Sequence, residues 1–334
     1  MTTPPNANPG PLKMGKWLAI SLLALAATTA GAQEFPNKPV RVVIPFPAGG
    51  LTDVLMRGLG ESLSKKWQQP VIVDNRPGAN TIIGAQAVAG AEPDGYTLLM
   101  ANDPTLSSNQ YLYNKLPYDP VNDFVPVVNI AMTEQVLVVP GNSPYNTLEE
   151  FLQDARNHPG KLDYGSFGVG SKAHLDTEAF GRMAGAKFNH VPYKGVADVM
   201  VAIQGGQVDF GLTGVSPVVE HIKSGRMKGL AISSSERRPQ MPDVPTFAEK
   251  GFPDYESIAW FGLVAPKGTP EAVVNKIAAD VLEAASQPAL QERYITGVGL
   301  VFANQGAAEF AAFLEKFRKK YAEKIQASGV KLDY

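Results

Sequence analysis

The chain has 334 residues, enough for two ordinary domains with a core each. Its 44% hydrophobic and 19% charged residues exclude a disordered chain and a many-spanning membrane protein. A formal charge of −2 gives no basic bias toward nucleic acid, and the lack of cysteine removes disulfides, cysteine-linked lipid and thiol catalysis.

At the N-terminus, Lys13 and Lys16 precede the apolar run 17–27, which ends in Ala30-Gly31-Ala32. A positive start, a short apolar run and an A-x-A site predict a secretory signal peptide over residues 1–32, cleaved after Ala32. The run is too short for a bilayer span of ~20 residues. Met14-Gly15-Lys16 would open an ordinary signal, so either Met1 or Met14 serves as the start. Cleavage takes away Lys13 and Lys16 and no acid, so the mature chain is more acidic than the full one. Any anion it holds needs local donors rather than a global positive field.

From Val40 onward strands and helices alternate, which predicts α/β layers with mostly parallel sheets. Val40-Arg41-Val42-Val43-Ile44-Pro45 reads as a buried strand. It is followed by Phe46-Pro47-Ala48-Gly49-Gly50 and a helix from near Thr52 with Leu55, Leu59, Leu63 and Trp67 on one stripe. Strands at 71–73, 96–100 and 135–140 come next, and Thr147-Leu148-Glu149-Glu150 is a capping box. Residues 161–166 enter Phe167-Gly168-Val169-Gly170-Ser171 and a helix from about Lys172, so the strand–glycine loop–helix unit occurs twice. Strands at 190–193, 208–212, 229–232 and 260–265 follow. Thr269-Pro270 places a cap and a first-turn proline, and the last helix carries Phe310, Phe313, Leu314, Phe317, Tyr321 and Ile325 on one face.

A glycine-rich loop running into a helix start points free N–H groups and a positive dipole end at one spot, which suits an anion. Two such spots predict two domains closing on a small carboxylate or phosphate. Residues 33–134 with 259–334 would form the first domain, and 135–258 the second, inserted between two hinge crossings. The four histidines (His158, His174, His190 and His221) lack metal-ligand spacing, and no G-x-S-x-G elbow is present. No metal, cofactor or enzyme activity is expected; a hydrolase with a dispersed triad is the lesser alternative.

Several stretches occur in order along the chain: residues 45–50 with Asp53, Asn75-Arg76-Pro77-Gly78-Ala79, Pro93-Asp94-Gly95-Tyr96-Thr97-Leu98, Tyr118-Asp119-Pro120, Gly168 with Gly170-Ser171 and His174, Val191-Pro192-Tyr193-Lys194-Gly195, Gly205-Gly206-Gln207-Val208-Asp209, Pro242-Asp243-Val244-Pro245-Thr246 and Trp260-Phe261-Gly262. With these the chain resembles the Bug (TctC-type) periplasmic solute-binding proteins of tripartite tricarboxylate transporters. Each is weak alone; in order and at similar spacing they are specific. The resemblance implies a two-domain periplasmic-binding-protein (Venus flytrap) fold in the periplasm, monomeric, with no nucleic acid partner. It implies a small carboxylate ligand held between the domains and passed to membrane transporter subunits. A ligand-loaded sensor partner for a membrane kinase is the alternative on the same fold.

Ala48, Gly49, Gly50 and Thr52 are the first ligand-binding candidates, with Asp53 as a cap or brace. Ser166, Gly170 and Ser171 would play the mirror role, Ser171 serving either the ligand or the helix cap. His174 would donate to the ligand or to the loop. Asn102, just past the strand at 96–100, joins the set. Phe46 and Phe167 would clamp an apolar ligand body. Members of the resembled family usually carry a small or polar residue at the second position, so Phe167 favours an aromatic acid such as terephthalate, with di- and tricarboxylates next. Packing within its own domain is the other reading of Phe167. Tyr193, Asp209 and Thr213 are expected at strand ends facing the cleft, and Lys194 as a solvated charge.

Overall fold

The computed structural model of the chain describes residues 1–3 and 35–332, so the expected signal segment and its cleavage point lie outside the described residues. The chain separates into two compact units, Met1–Asn37 and Lys38–Tyr334, and the second holds every described strand and helix.

In chain order this unit begins with β1 (Val40–Ile44), α1 (Leu51–Trp67), β2 (Val71–Asn75), α2 (Ile82–Ala89), β3 (Thr97–Ala101), α3 (Asn109–Leu112) and the long β4 (Phe124–Pro140). It continues with α4 (Leu148–Asn157), β5 (Asp163–Ser166), α5 (Lys172–Ala184), β6 (Asn189–Pro192), α6 (Val196–Gln204), β7 (Phe210–Gly214), α7 (Val215–Lys223) and β8 (Met227–Ile232). It ends with β9 (Ile258–Pro266), α8 (Glu271–Ser286), α9 (Pro288–Tyr294), β10 (Val301–Gln305) and α10 (Ala307–Ser328).

The strands join in one ten-stranded sheet that β4 divides into halves. Up to Glu134, β4 pairs with β9 and β10; from Gln135 it pairs with β7 and β8. In the first half β1 lies parallel between β2 and β3, and in the second β5 lies parallel between β6 and β7. β3 is antiparallel to β9 and β9 to β4, so β1 and β3 run with β4 toward Gln135. β7 runs against β4 and brings Gly214 opposite Gln135. The carboxyl ends of the two parallel sets therefore point at each other across the Glu134–Gln135 crossing.

Side-chain alternation along β4 builds the second half's core on both faces. Leu137 and Val139 join Phe151, Tyr164, Phe180 and Phe210 on one side, while Val136 and Val138 join Val199, Ile203 and Val218 on the other. The first half packs Val43, Ile82, Leu99, Trp260, Phe310 and Phe317 together. The stripe Leu55, Leu59, Leu63 and Trp67 is buried as expected, and Thr147 and Glu150 make both hydrogen bonds of the capping box. Pro270 sits one position earlier than expected, at the N-cap of α8, with the Thr269 hydroxyl donating to the Pro266 carbonyl.

Candidate ligand-binding site

The first loop leaves β1 and enters α1 at Gly50, an N-cap with no side-chain partner, so the first-turn amides are uncapped. Gly49 has a φ of +80°, a conformation a Cβ disfavours. Its N–H donates to Asp53 Oδ2 at 2.8 Å, and the Arg57 guanidinium holds both oxygens of that carboxylate at 3.0 Å. Burial alone would raise the Asp53 carboxyl, but Arg57 and the Gly49 amide outweigh it and keep it ionised below its ordinary range. Asp53 is thus the brace of this loop, and Gly49 contributes the turn while its amide is already engaged. Ala48 and Gly50 are exposed, Phe46 is half-buried, and Thr52 is buried at the helix start.

The second loop is tied down more heavily. Ser166 is fully buried; its Oγ donates to the Gly168 carbonyl at 3.0 Å, accepts from the Gly168 N–H at 3.2 Å and lies 2.5 Å from His190 Nε2. Ser171 caps α5, accepting from the His174 N–H. Gly170 N–H donates to His174 Nδ1 at 3.0 Å, which requires that nitrogen to carry no proton. The His174 ring stacks on His190 at 3.9 Å, and Tyr164 lies beside both, 4.9 Å from His190 and 6.4 Å from His174. These contacts agree with the loop reading of His174, with its Nδ1 accepting rather than donating, and they engage the Ser166 hydroxyl within the loop. The polar atoms of Ser166 and the accepting nitrogen of His174 shape the loop, because burial obliges them to satisfy its backbone.

Burial lowers both imidazoles, and His174 adds to the effect on His190, which falls to about 4. With a folded value below the ordinary 6.5, their contribution to stability is complete above 6.5 and is lost as pH falls from 6.5 toward 4. Thermal midpoints of the wild type and His190→Gln should therefore converge by several degrees as pH is lowered across that range. Curves that stay parallel would show that His190 does not titrate there.

Thr213 lies at the carboxyl end of β7 opposite Val136, buried, with its Oγ1 unpartnered. Asn102 follows β3 at the matching end of the first half, its side-chain oxygen accepting from the Thr105 hydroxyl at 2.8 Å. Tyr193 is half-buried after β6, its N–H bonded to the Ser166 carbonyl, and Lys194 is exposed. Phe167 packs on the cluster around Val136 and Val199 in its own half. Asp209 is misplaced by the sequence reading: β7 begins at Phe210, so Asp209 sits at the strand's opening end and takes the Asp163 N–H at 2.7 Å. It braces the edge of the sheet away from the loops.

Sequence reasoning passed over Thr133, Glu134 and Gln135, whose polar run interrupts an otherwise apolar strand at the crossing. Thr133 Oγ1 accepts from Val215 N–H, and Glu134 pairs with Arg238. It also passed over a buried ionic cluster beside the second loop. Lys172 Nζ lies 2.5 Å from Asp176 Oδ2 and 2.6 Å from the Tyr321 hydroxyl, and Lys324 Nζ donates to Asp176 Oδ1 at 2.7 Å. The Lys172 and Asp176 spacing of four was visible, but the burial was not. Among the described residues no group of three or more His, Asp or Glu is arranged to hold a metal ion.

Residues 55–330 match the family described as the tripartite tricarboxylate transporter family receptor, TctC. Protein BugT of Bordetella pertussis is 35% identical over 320 residues, covering 94% of this chain and 96% of BugT. The structure of R. palustris Rpa4515 with adipate is 29% identical with a TM-score of 0.81, covering 90% of this chain and 100% of that one. MatC from Rhodopseudomonas palustris with bound malate is 31% identical with a TM-score of 0.76, covering 87% and 100%. The fold is accordingly the α/β two-domain architecture of periplasmic binding proteins. The chain belongs to the TctC family of periplasmic solute-binding receptors, the Bug proteins, and is a receptor rather than an enzyme.

Proposed function

We propose that this protein captures a small carboxylate between two lobes, residues 33–134 with 259–334 and residues 135–258, and carries it as a monomer to the membrane subunits of a tripartite tricarboxylate transporter. Secretion to the periplasm with cleavage after Ala32 is part of this reading. The observation that carries it is the opposition of the two sets of strand ends, which turns the starts of α1 and α5 toward one crossing. The ligand-facing set is Phe46, Ala48, Gly50, Thr52, Asn102, Gly170, Ser171, Tyr193 and Thr213, with Gly49, Ser166 and His174 holding the loops in shape. Malate and adipate in relatives support the carboxylate class.

Four charge-assisted hydrogen bonds at ~1.5–3 kcal/mol each are offset in large part by the ~4–15 kcal/mol cost of immobilising a ligand. Apolar contact must therefore add to affinity: Phe46 is the half-buried aromatic of the first loop, and Phe167, whose ring packs within its own half, would have to turn toward the ligand to join it. This favours an aromatic acid such as terephthalate over a compact di- or tricarboxylate. A thermal-shift screen of the chain from Gln33 tests the reading with malate, adipate, citrate, benzoate, phthalate and terephthalate. A ligand at 100 times its Kd should stabilise by about 2.7 kcal/mol. A shift with an aromatic acid that Phe167→Ala abolishes supports the clamp. A shift with malate or adipate that survives the substitution keeps the carboxylate reading and removes the clamp. No shift with any acid would overturn the ligand class.

A further inference from the structure

We propose that Asp103 is a buried proton-binding site that fastens α5, and with it the second glycine loop, to the first half of the molecule. Asp103 follows β3 and is 2% exposed; its carboxylate makes no well-formed hydrogen bond, and the one donor directed toward it is the Tyr321 hydroxyl, which Lys172 and Asp176 already share. Lys172 and Asp176 face it from α5, and Tyr321 and Lys324 from α10. The donors of that cluster are already committed elsewhere. Lys172 and Lys324 both bind Asp176, and the Ser257 hydroxyl, just ahead of β9, donates to the same carboxylate. One of two buried carboxylates is therefore fully served and the other is not.

An ionised carboxylate short of donors is costly in a site closed to water, and a neutral carboxyl much less so. A metal cation fits poorly beside two ammonium groups, whereas a proton adds no bulk and removes the charge. Burial accordingly raises the Asp103 carboxyl to about 7, with Lys172 opposing. With a folded value above the ordinary 3.8, the stabilisation is complete below about 4 and is lost as pH rises to about 7. The sign is opposite to that of the histidine pair. Any motion that parts α5 from β3 and α10 wets Asp103 and returns it to an ordinary carboxylate. Such opening releases a proton and becomes easier as the medium turns alkaline.

Hydrogen exchange by mass spectrometry on the mature chain tests this, comparing wild type, Asp103→Asn and Asp103→Ser. The readout is protection of residues 166–184 and 316–327, corrected for the intrinsic pH dependence of exchange. Relative to the variants, local opening of the wild type should rise about tenfold from pH 6 to pH 8. Both variants lack the titrating carboxyl and keep only the opposite slope of the His174–His190 pair, which falls below the ordinary 6.5. The serine variant removes bulk as well as charge, so agreement between the two assigns the effect to the proton. Wild-type and variant profiles that run parallel from pH 6 to pH 8 would overturn the proposal.

Discussion

Replacing Asp176 by alanine should lower the thermal midpoint by on the order of 10 °C, the largest loss expected from any single substitution outside the apolar cores. Asp176 is fully buried and joins Lys172, Lys324, the Ser257 hydroxyl and, at 3.4 Å, the Tyr321 hydroxyl. Burial pushes its carboxyl up, but Lys172 and Lys324 reverse the effect and hold it at about 2. Its contribution is thus present above the ordinary carboxylate value and is lost only as pH falls from about 4 to about 2. Removing it leaves the buried Lys172 ammonium and the part-buried Lys324 ammonium without their shared carboxylate, and breaking one partner from a buried pair costs about 3–5 kcal/mol. Asp176→Asn keeps the shape and removes the charge, so it should lose nearly as much. Calorimetry at pH 7 on both variants gives the answer. A loss near 1 kcal/mol, as for exposed pairs, would show that water already reaches the cluster.

Much of the fold was legible because it is written in periodicity. The apolar run of β1, the four-residue spacing along α1 and the Thr147–Glu150 box are local patterns, and each survives in the structure. The double role of β4 was not legible. Sequence gave a strand at 135–140, whereas one continuous strand of 17 residues serves both halves of the sheet. Nothing in residues 124–140 announces a change of partners except the polar run Thr133-Glu134-Gln135. Asp209 stands at the opening end of β7 whether the strand starts at 208 or at 210, so its assignment to the cleft came from taking the wrong end of that strand.

Within the site, glycine loops and helix starts were readable, because backbone geometry constrains sequence there. The use made of side chains was not. Asp53 and His174 each lie four residues after a loop glycine and each accept that glycine's N–H. Their common role is plain only once the hydrogen bonds are seen. The stacking of His174 on His190 joins residues from α5 and β6, a pairing that no spacing rule predicts. Buried polar clusters such as the one around Asp176 are set by tertiary contact between α5, α10 and the approach to β9.

Gly170→Val should abolish ligand response while leaving a folded protein. Gly170 has a φ of +76°, where an L-residue costs about 1–2 kcal/mol and a β-branched one more. A Cβ there would lie 2.9 Å from Leu332 Cδ1 and 3.2 Å from Leu112 Cδ1. The loop must therefore shift, and the Gly170–His174 hydrogen bond that sets the approach to α5 goes with it. A shifted helix start misaims the first-turn amides of α5, and two charge-assisted bonds lost at ~1.5–3 kcal/mol each amount to a hundredfold or more in Kd. Gly170→Ala, with less strain and less bulk, should weaken binding by roughly tenfold. Adding Leu332→Ala to it should recover the part due to contact and leave the part due to φ, so the double-mutant cycle separates them. Titration calorimetry with the strongest acid from the screen reads these variants and the Leu332→Ala single that completes the cycle. Unchanged affinity in Gly170→Val would mean that this loop packs the two halves together and that the ligand is held elsewhere.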